Sequence, residues 1–464
     1  MSTPTVNPTT WSKSLLLKWF IVIISPILVL CLPVQGAFTQ PIRTFFAMTV
    51  CAILIFALEV MPNFVASILL PAAYVFFGLV PGAVAWGPWT STMPWMMVSS
   101  FVLAIILEST GILKRISYWC MIKTGGTYRG IVFGLAIAGI ICSFLAPATL
   151  LIAMAALVYG ICKSLDLGKS KAAAGITLNT AMVMTTCMFF IYSPGQMGLI
   201  FNSATSVIPI QVTYTEMLLH QWVYLPMIFV FTYINAKLCK PEGDLQGKSF
   251  FETEYARLGK MSAAEKKSVA IMLALLLFLL TGSLHKIDMS WGFILAGCLF
   301  YFPGINVGTP EDIRRTDFSF IFFITACLSI GTVSTVLGVG QLISNLLVPM
   351  LSKACSIGAI ALVWFFAVLI NFLLTPLAAL SLVGAPIAQI AVDLNINPLV
   401  FMYTFYNGID QVLLPYEFVT NLIFFSFGLV HLKDFVKLYG IKMVLSFIWL
   451  MLLVIPYWHL IGLI

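Results

Sequence analysis

Backbone N–H and C=O groups cannot be left bare in hydrocarbon, and this chain repeatedly offers apolar runs that only a helix could carry through it. A spanning helix takes about 20 apolar residues. Runs of that kind lie near residues 18–35, 43–59, 62–80, 94–112, 174–206, 217–236, 268–284, 290–303, 318–340, 399–431 and 443–462. They leave room for only 41 charged side chains among 464 residues, 9% of the chain, where an average soluble protein has about 25%. So thin a polar skin cannot cover a soluble domain. A soluble enzyme, a disordered regulator and a nucleic-acid partner are thereby excluded. The expectation is an all-α polytopic protein of the cell membrane, in contact with lipid.

The first run has Lys13 and Lys18 before it and Val34-Gln35-Gly36 after it, which resembles a weak signal-peptide site. Its apolar core is long and further spans follow at once, so an uncleaved first helix is the better reading. Ten cysteines sit mostly inside apolar runs without CxxC spacing, as packing residues do.

Two apolar stretches, 130–162 and 357–392, are too long for one span and too short for two, and each carries a proline-bearing break in its middle. They read as re-entrant hairpins. With the N-terminus cytoplasmic and neither hairpin crossing, 21 of the 24 basic residues fall inside and only Arg43, Lys286 and Lys353 outside. This agrees with the excess of Lys and Arg on cytoplasmic loops. Lys433, Lys437 and Lys442 count among the inside residues, so no lysine or arginine is expected at membrane depth. Eleven spans and two hairpins then place the C-terminus outside.

The two halves match. A span ends at Gly111-Ile112-Leu113, and 36 residues later the first hairpin breaks at Pro147; Gly338-Val339-Gly340 is followed 38 residues on by Pro376. A long span interrupted at Ser193-Pro194-Gly195 follows the first hairpin, and one interrupted at Leu414-Pro415-Tyr416 follows the second. On the proposed topology the hairpins enter from opposite sides, which makes an inverted repeat, the common plan of secondary transporters. The segments are 1–129 (first scaffold helices), 130–236 (first hairpin and broken helix) and 237–267 (a cytoplasmic linker with seven basic and five acidic residues). They continue with 268–356 (second scaffold helices) and 357–464 (second hairpin, broken helix and last span). Ser262 and Glu265 have capping-box spacing and open the helix after the linker. Proline removes a backbone donor and breaks a helix. The freed N–H groups and positive ends of half-helices suit an anion, and their free carbonyls suit a cation.

The stretch Leu103-Ala104-Ile105-Ile106-Leu107-Glu108-Ser109-Thr110-Gly111-Ile112-Leu113-Lys114-Arg115-Ile116 resembles a span of the divalent anion:sodium symporters, carriers of di- and tricarboxylates and sulfate. So do Leu414-Pro415, Asn421 and Leu432-Lys433-Asp434-Phe435-Val436-Lys437, similar to that family's last broken helix and its exit loop. The resemblance runs weakly over nearly the whole chain. It implies a homodimer with an elevator movement, no prosthetic cofactor, and sodium ions or protons as coupling ions. It also implies a Ser-Asn-Thr triplet at each hairpin tip. Here the first tip reads Pro147-Ala148-Thr149 with Ser143 upstream, and the second starts at Leu374 or at Thr375 in Asn371-Phe372-Leu373-Leu374-Thr375-Pro376. The lost hydroxyls and amides lean away from sodium.

Candidate substrate contacts are Thr149, Ser193, Thr375, Thr420 and Asn421. Candidate coupling positions are Ser143, Pro147, Ala148, Gly195, Gly198, Pro376 and Pro415, with the carboxylates Asp410 and Glu417. The last two are seven residues apart, on one face if the helix were continuous, and a charge in lipid asks for a reason. Glu417 carrying a proton or a cation and a purely structural Glu417 are both open. Glu59 and Glu108 occupy family positions and read as structural, and the four histidines lie at span ends or loops. The expected function is secondary transport of small organic anions, above all dicarboxylates, coupled to a cation, a proton or a counter-anion. An inorganic oxyanion carrier and a transport-dead sensor on the same fold are the alternatives. An intramembrane enzyme lacks a partner for the Asp410 motif.

Overall fold

The computed structural model describes residues 13–464 apart from Glu59, residues 147–149, Ser206, residues 242, 244 and 246, residues 352–354 and Leu373. Among the described residues the architecture is all-helical, with one isolated bridge between Gln35 and Phe38 and no strand. Six helices of at least 18 residues are apolar enough to cross a membrane, and a seventh span arises if Tyr214–Gln221 and Tyr224–Leu238, bent by 52°, act as one. The other apolar helices are shorter. Where eleven spans were expected, many runs are divided by a bend or a proline.

The hairpins are divided in this way. Tyr128–Leu145 and Leu151–Ser164 form the first, Ser356–Asn371 and Pro376–Asp393 the second. At 1.5 Å per residue the arm Leu151–Ser164 is only about 21 Å long, less than the ~30 Å core. Thr127 caps the first hairpin by accepting a hydrogen bond from Gly130 N (3.2 Å), and Pro376 takes the first helical position of the last arm, where its missing N–H costs nothing. The first broken helix comprises Lys171–Phe190 and Met197–Ala204, the second Pro398–Ile409 and Val419–Ser426.

Matched glycines introduce the two hairpins. Gly111 (φ 84°) ends Thr92–Thr110, and Gly338 (φ 75°) ends Phe318–Val336. Both lie in the left-handed region that favours glycine, turning each span into a shorter helix, Ile112–Lys123 or Val339–Leu351.

Packing crosses between the halves. Met197–Ala204, the far half of the first broken helix, lies on the second hairpin's arm Pro376–Asp393. Val419–Ser426, its counterpart, lies on the first hairpin's arm Leu151–Ser164. At the first contact the packing is close, since a Cβ on Gly384 would meet the Ser203 side-chain Oγ at 1.9 Å and the Ile200 carbonyl oxygen at 3.2 Å. Thr92–Thr110 pairs with Met289–Leu299, and Phe318–Val336 packs on Asn63–Phe76 as well as on Pro376–Asp393 and Met197–Ala204.

At the linker, Ser262 N donates to Glu265 Oε2 (2.6 Å) and Glu265 N to Ser262 Oγ (3.1 Å), closing the capping box. Arg115 reaches across from Ile112–Lys123 to the same carboxylate (2.7 Å) and to the carbonyls of Gly259 and Leu258. That pair is buried.

Two expectations about the C-terminal region are corrected. Residues 432–437 are helical and not an exit loop, and the last apolar helix does not begin near 443: Leu432–Trp449 continues through a π-helical turn, Leu450–Val454, into Ile455–Leu460. The whole run of 29 residues measures about 44 Å, more than the hydrocarbon core requires. The basic residues near its start therefore do not end the helix, and Lys442 lies inside it.

Candidate functional site

Each broken helix leaves backbone groups that must find other partners. In the first break Ile191 ends the half-helix by donating to Cys187 O, and Gln196 N and Gly198 N turn back to Ser193 O (3.3 and 3.0 Å). Ser193 is fully buried, and its Oγ has no hydrogen-bond partner. Gln196 accepts a hydrogen bond from Tyr406 OH of the second broken helix. Close approach explains the two glycines. A Cβ on Gly195 would stand 3.3 Å from Met97 Cε, and one on Gly198 would stand 2.6 Å from Tyr192 OH.

In the second break Pro415 starts a short 3₁₀ turn, and Glu417 caps the interruption. Its carboxylate accepts hydrogen bonds from Leu414 N (2.8 Å), Leu413 N (3.2 Å) and Asn371 Nδ2 (3.0 Å). Asn371 is the last residue of the arm Ser356–Asn371, so the second hairpin's tip and the second break are tied through Glu417. Across the tip Thr375 Oγ1 is buried without a partner.

These pieces face a cavity of about 510 Å³. Ser193, Gln196, Thr375, Pro376 and Glu417 line it; Glu108, Arg315 and Asp317 lie on its wall as well, with Arg315 bonded to Glu108 at 3.3 Å. The positive ends of Met197–Ala204 and Val419–Ser426 begin at the two breaks. Two unpaired hydroxyls, two helix N-termini and one carboxylate can bind an anion together with a compensating cation.

Other candidates have different surroundings. Ser143 is buried and donates to Met184 Sδ (3.7 Å), away from the cavity lining. Asn421 is also buried, with its Oδ1 accepting from Tyr439 OH (2.8 Å). Glu59, Pro147, Ala148 and Thr149 lie outside the described residues, as does the side chain of Thr420.

Asp410 and Glu417 do not share a helical face. Asp410 is the C-cap of Pro398–Ile409, before the break, while Glu417 lies beyond it. Asp410 is paired instead with Lys442 Nζ, which donates to its Oδ2 (2.5 Å) and its backbone carbonyl (3.2 Å). Lys442 is 2% exposed. The charge count puts Lys442 in a cytoplasmic loop, whereas it is buried within the helix Leu432–Trp449. Charge counting missed it because Lys433 and Lys437 precede it. The usable signal was periodicity: Phe435, Leu438, Tyr439, Lys442 and Ser446 form one buried stripe at helical spacing.

Comparison with known proteins gives the site its context. No curated protein matches the chain. The crystal structure of the YdaH transporter of Alcanivorax borkumensis, described as revealing an unusual topology, is similar in fold at 17% identity. Its TM-score is 0.56, over 84% of this chain and 89% of that one. Residues 13–464 match the family described as the sodium:sulfate symporter transmembrane region. With nearly its whole length matched, the chain belongs to the sodium:sulfate symporter family and is a multi-pass membrane transporter of anions, not an enzyme.

Proposed function

We propose that the chain is a secondary active carrier of small organic dianions, above all dicarboxylates, working by alternating access and driven by a co-transported cation. The observation that carries this reading is the pair of buried, unpartnered hydroxyls, Ser193 Oγ and Thr375 Oγ1, on a cavity that both broken helices reach. Unpaired buried hydroxyls are costly and gain most from a ligand that accepts their hydrogen bonds. The volume, about 510 Å³, lies in the ordinary ligand range of about 300–1,000 Å³. A single tetrahedral oxyanion would fill little of it, which favours a dicarboxylate over sulfate.

Glu417 supplies the reason for coupling. Three donors hold its carboxylate at the second break, on the wall of the cavity. An anion beside it needs a positive charge, and the family description supports sodium in that role. The cavity's Glu108–Arg315 pair adjoins the basic residues assigned to the cytoplasm, so the site would be open inward. We further assign a homodimer in which 130–236 and 357–464 move together against scaffolds 1–129 and 268–356, with the N-terminus cytoplasmic and the C-terminus outside. The cross-packing of broken helices and hairpins supports the moving unit.

Uptake of labelled succinate and labelled sulfate into proteoliposomes, with sodium, potassium or proton gradients, tests this reading. Saturable succinate uptake driven by a cation gradient is expected. Thr375→Val and Ser193→Ala should each raise KM about 10- to 100-fold, from loss of a hydrogen bond to a charged ligand worth roughly 1.5–3 kcal/mol. Glu417→Gln should weaken the cation dependence. Absence of dicarboxylate uptake or exchange under every gradient would overturn the proposal, and uptake of sulfate alone would select the inorganic reading.

A further inference from the structure

The ion pair between Lys442 and Asp410 is the one buried charge pair near the broken helices, among the described residues, and the proposed transport cycle does not use it. The ammonium lies at the C-terminal end of Pro398–Ile409 and donates both to the Asp410 carboxylate (2.5 Å) and to the Asp410 carbonyl (3.2 Å). A half-helix C-terminus carries negative partial charge, so a carboxylate and a backbone carbonyl there provide the ligands a free cation would seek. Gln411 Oε1, on the next residue, is buried and has no partner. The rings of Phe189 and Tyr439 stand 6.0 and 5.8 Å from the ammonium. Phe189 belongs to the first broken helix, so the charge lies between the two.

Among the described residues the first repeat has no equivalent. Its half-helix Lys171–Phe190 is capped by Ile191, an apolar residue. We propose that Lys442 is a tethered cation that fills, in the second repeat, a place a mobile cation would otherwise occupy. One positive charge is then supplied covalently and travels with the protein, so one fewer ion is drawn from solution per cycle than if both repeats bound one. This rests on the transporter reading above, but its test does not need transport.

A buried ion pair can also be a packing device that no ion could replace. The two roles separate in Lys442→Ala, which leaves Asp410 facing a vacated space large enough for a small cation. Thermal unfolding of detergent-purified protein is measured in choline chloride, sodium chloride and methylammonium chloride at equal ionic strength. The readout is the shift in each variant beyond that of the unaltered protein, which subtracts any ion bound elsewhere. Lys442→Ala is expected to unfold several degrees lower in choline and to recover in methylammonium and in sodium. The recovery should vanish in Asp410→Asn/Lys442→Ala, and Lys442→Arg should need no added cation. Equal unfolding of Lys442→Ala in all three salts would overturn the proposal, as would recovery that persists without the Asp410 carboxylate. If Lys442→Ala yields no folded protein in choline, it is purified in methylammonium instead. Folded protein then supports the tethered cation, and its continued absence overturns it.

Discussion

At single positions, one close approach between the halves depends on having no side chain at all. Gly384 faces Ser203, with Ile200 O 3.2 Å from where a Cβ would stand. Gly384→Ala displaces the Ser203 hydroxyl and crowds Ile200, an overpacking cost of about 1–3 kcal/mol. We expect a lower unfolding temperature for Gly384→Ala, and partial recovery in Gly384→Ala/Ser203→Ala, where the 1.9 Å clash with Oγ is removed; equal losses in both variants would contradict this account. Legibility at this scale is uneven. Prolines at the breaks could be read because proline removes a donor wherever it stands, and Pro194, Pro376 and Pro415 all lie where helices stop or start. Lys442 is not legible in this way because a lysine's side depends on its helix, and the apolar run near 443–462 hides that the helix begins at Leu432. Asn371 stood in view as part of a motif, but its hold on Glu417 joins residues 46 apart and has no local signature.

Among elements, the helix after the linker shows what spacing can and cannot reveal. Ser262 and Glu265 are three residues apart, and the capping box follows from helix geometry alone. The third member of the junction, Arg115, lies 150 residues earlier in the chain and is visible only in the folded protein. Burial pushes the Glu265 carboxyl up, but the Arg115 guanidinium and the Ser262 N–H outweigh it and leave it below its usual range. A depressed carboxylate stabilises the fold fully above its unfolded value, about 4.3, and ceases to do so as pH falls through the lower folded value. The difference in unfolding temperature between the unaltered protein and Glu265→Gln should therefore stay constant from neutral pH down to about 5.5 and shrink below about 4.3. A difference that grows on acidification would reverse the sign and sink the assignment. Ser262→Ala should cost about 1 kcal/mol at any of these pH values.

For the molecule as a whole, the sequence revealed the class and the paired interruptions, since each follows from run length and proline position. It could not reveal how the halves touch. The orientation rests on charge counting and is open to direct measurement. Cys31 and Cys355 are exposed and fall on the outer side of the proposed topology. A membrane-impermeant maleimide should label both on intact cells, while Lys260→Cys, in the linker, should react only after permeabilisation. The reverse pattern would invert the topology.

The exchange of contacts between the halves also sets an order of events during synthesis. Met197–Ala204 finds its neighbour only when Pro376–Asp393 has been made, roughly 170 residues later. At about 5–20 residues per second the nascent chain waits on the order of ten to thirty seconds with its first break unsupported. During that interval the freed backbone groups of residues 191–196 must be met by water or by the insertion machinery. The proposed binding site is consequently among the last parts of this protein to exist, and neither half can assemble it alone.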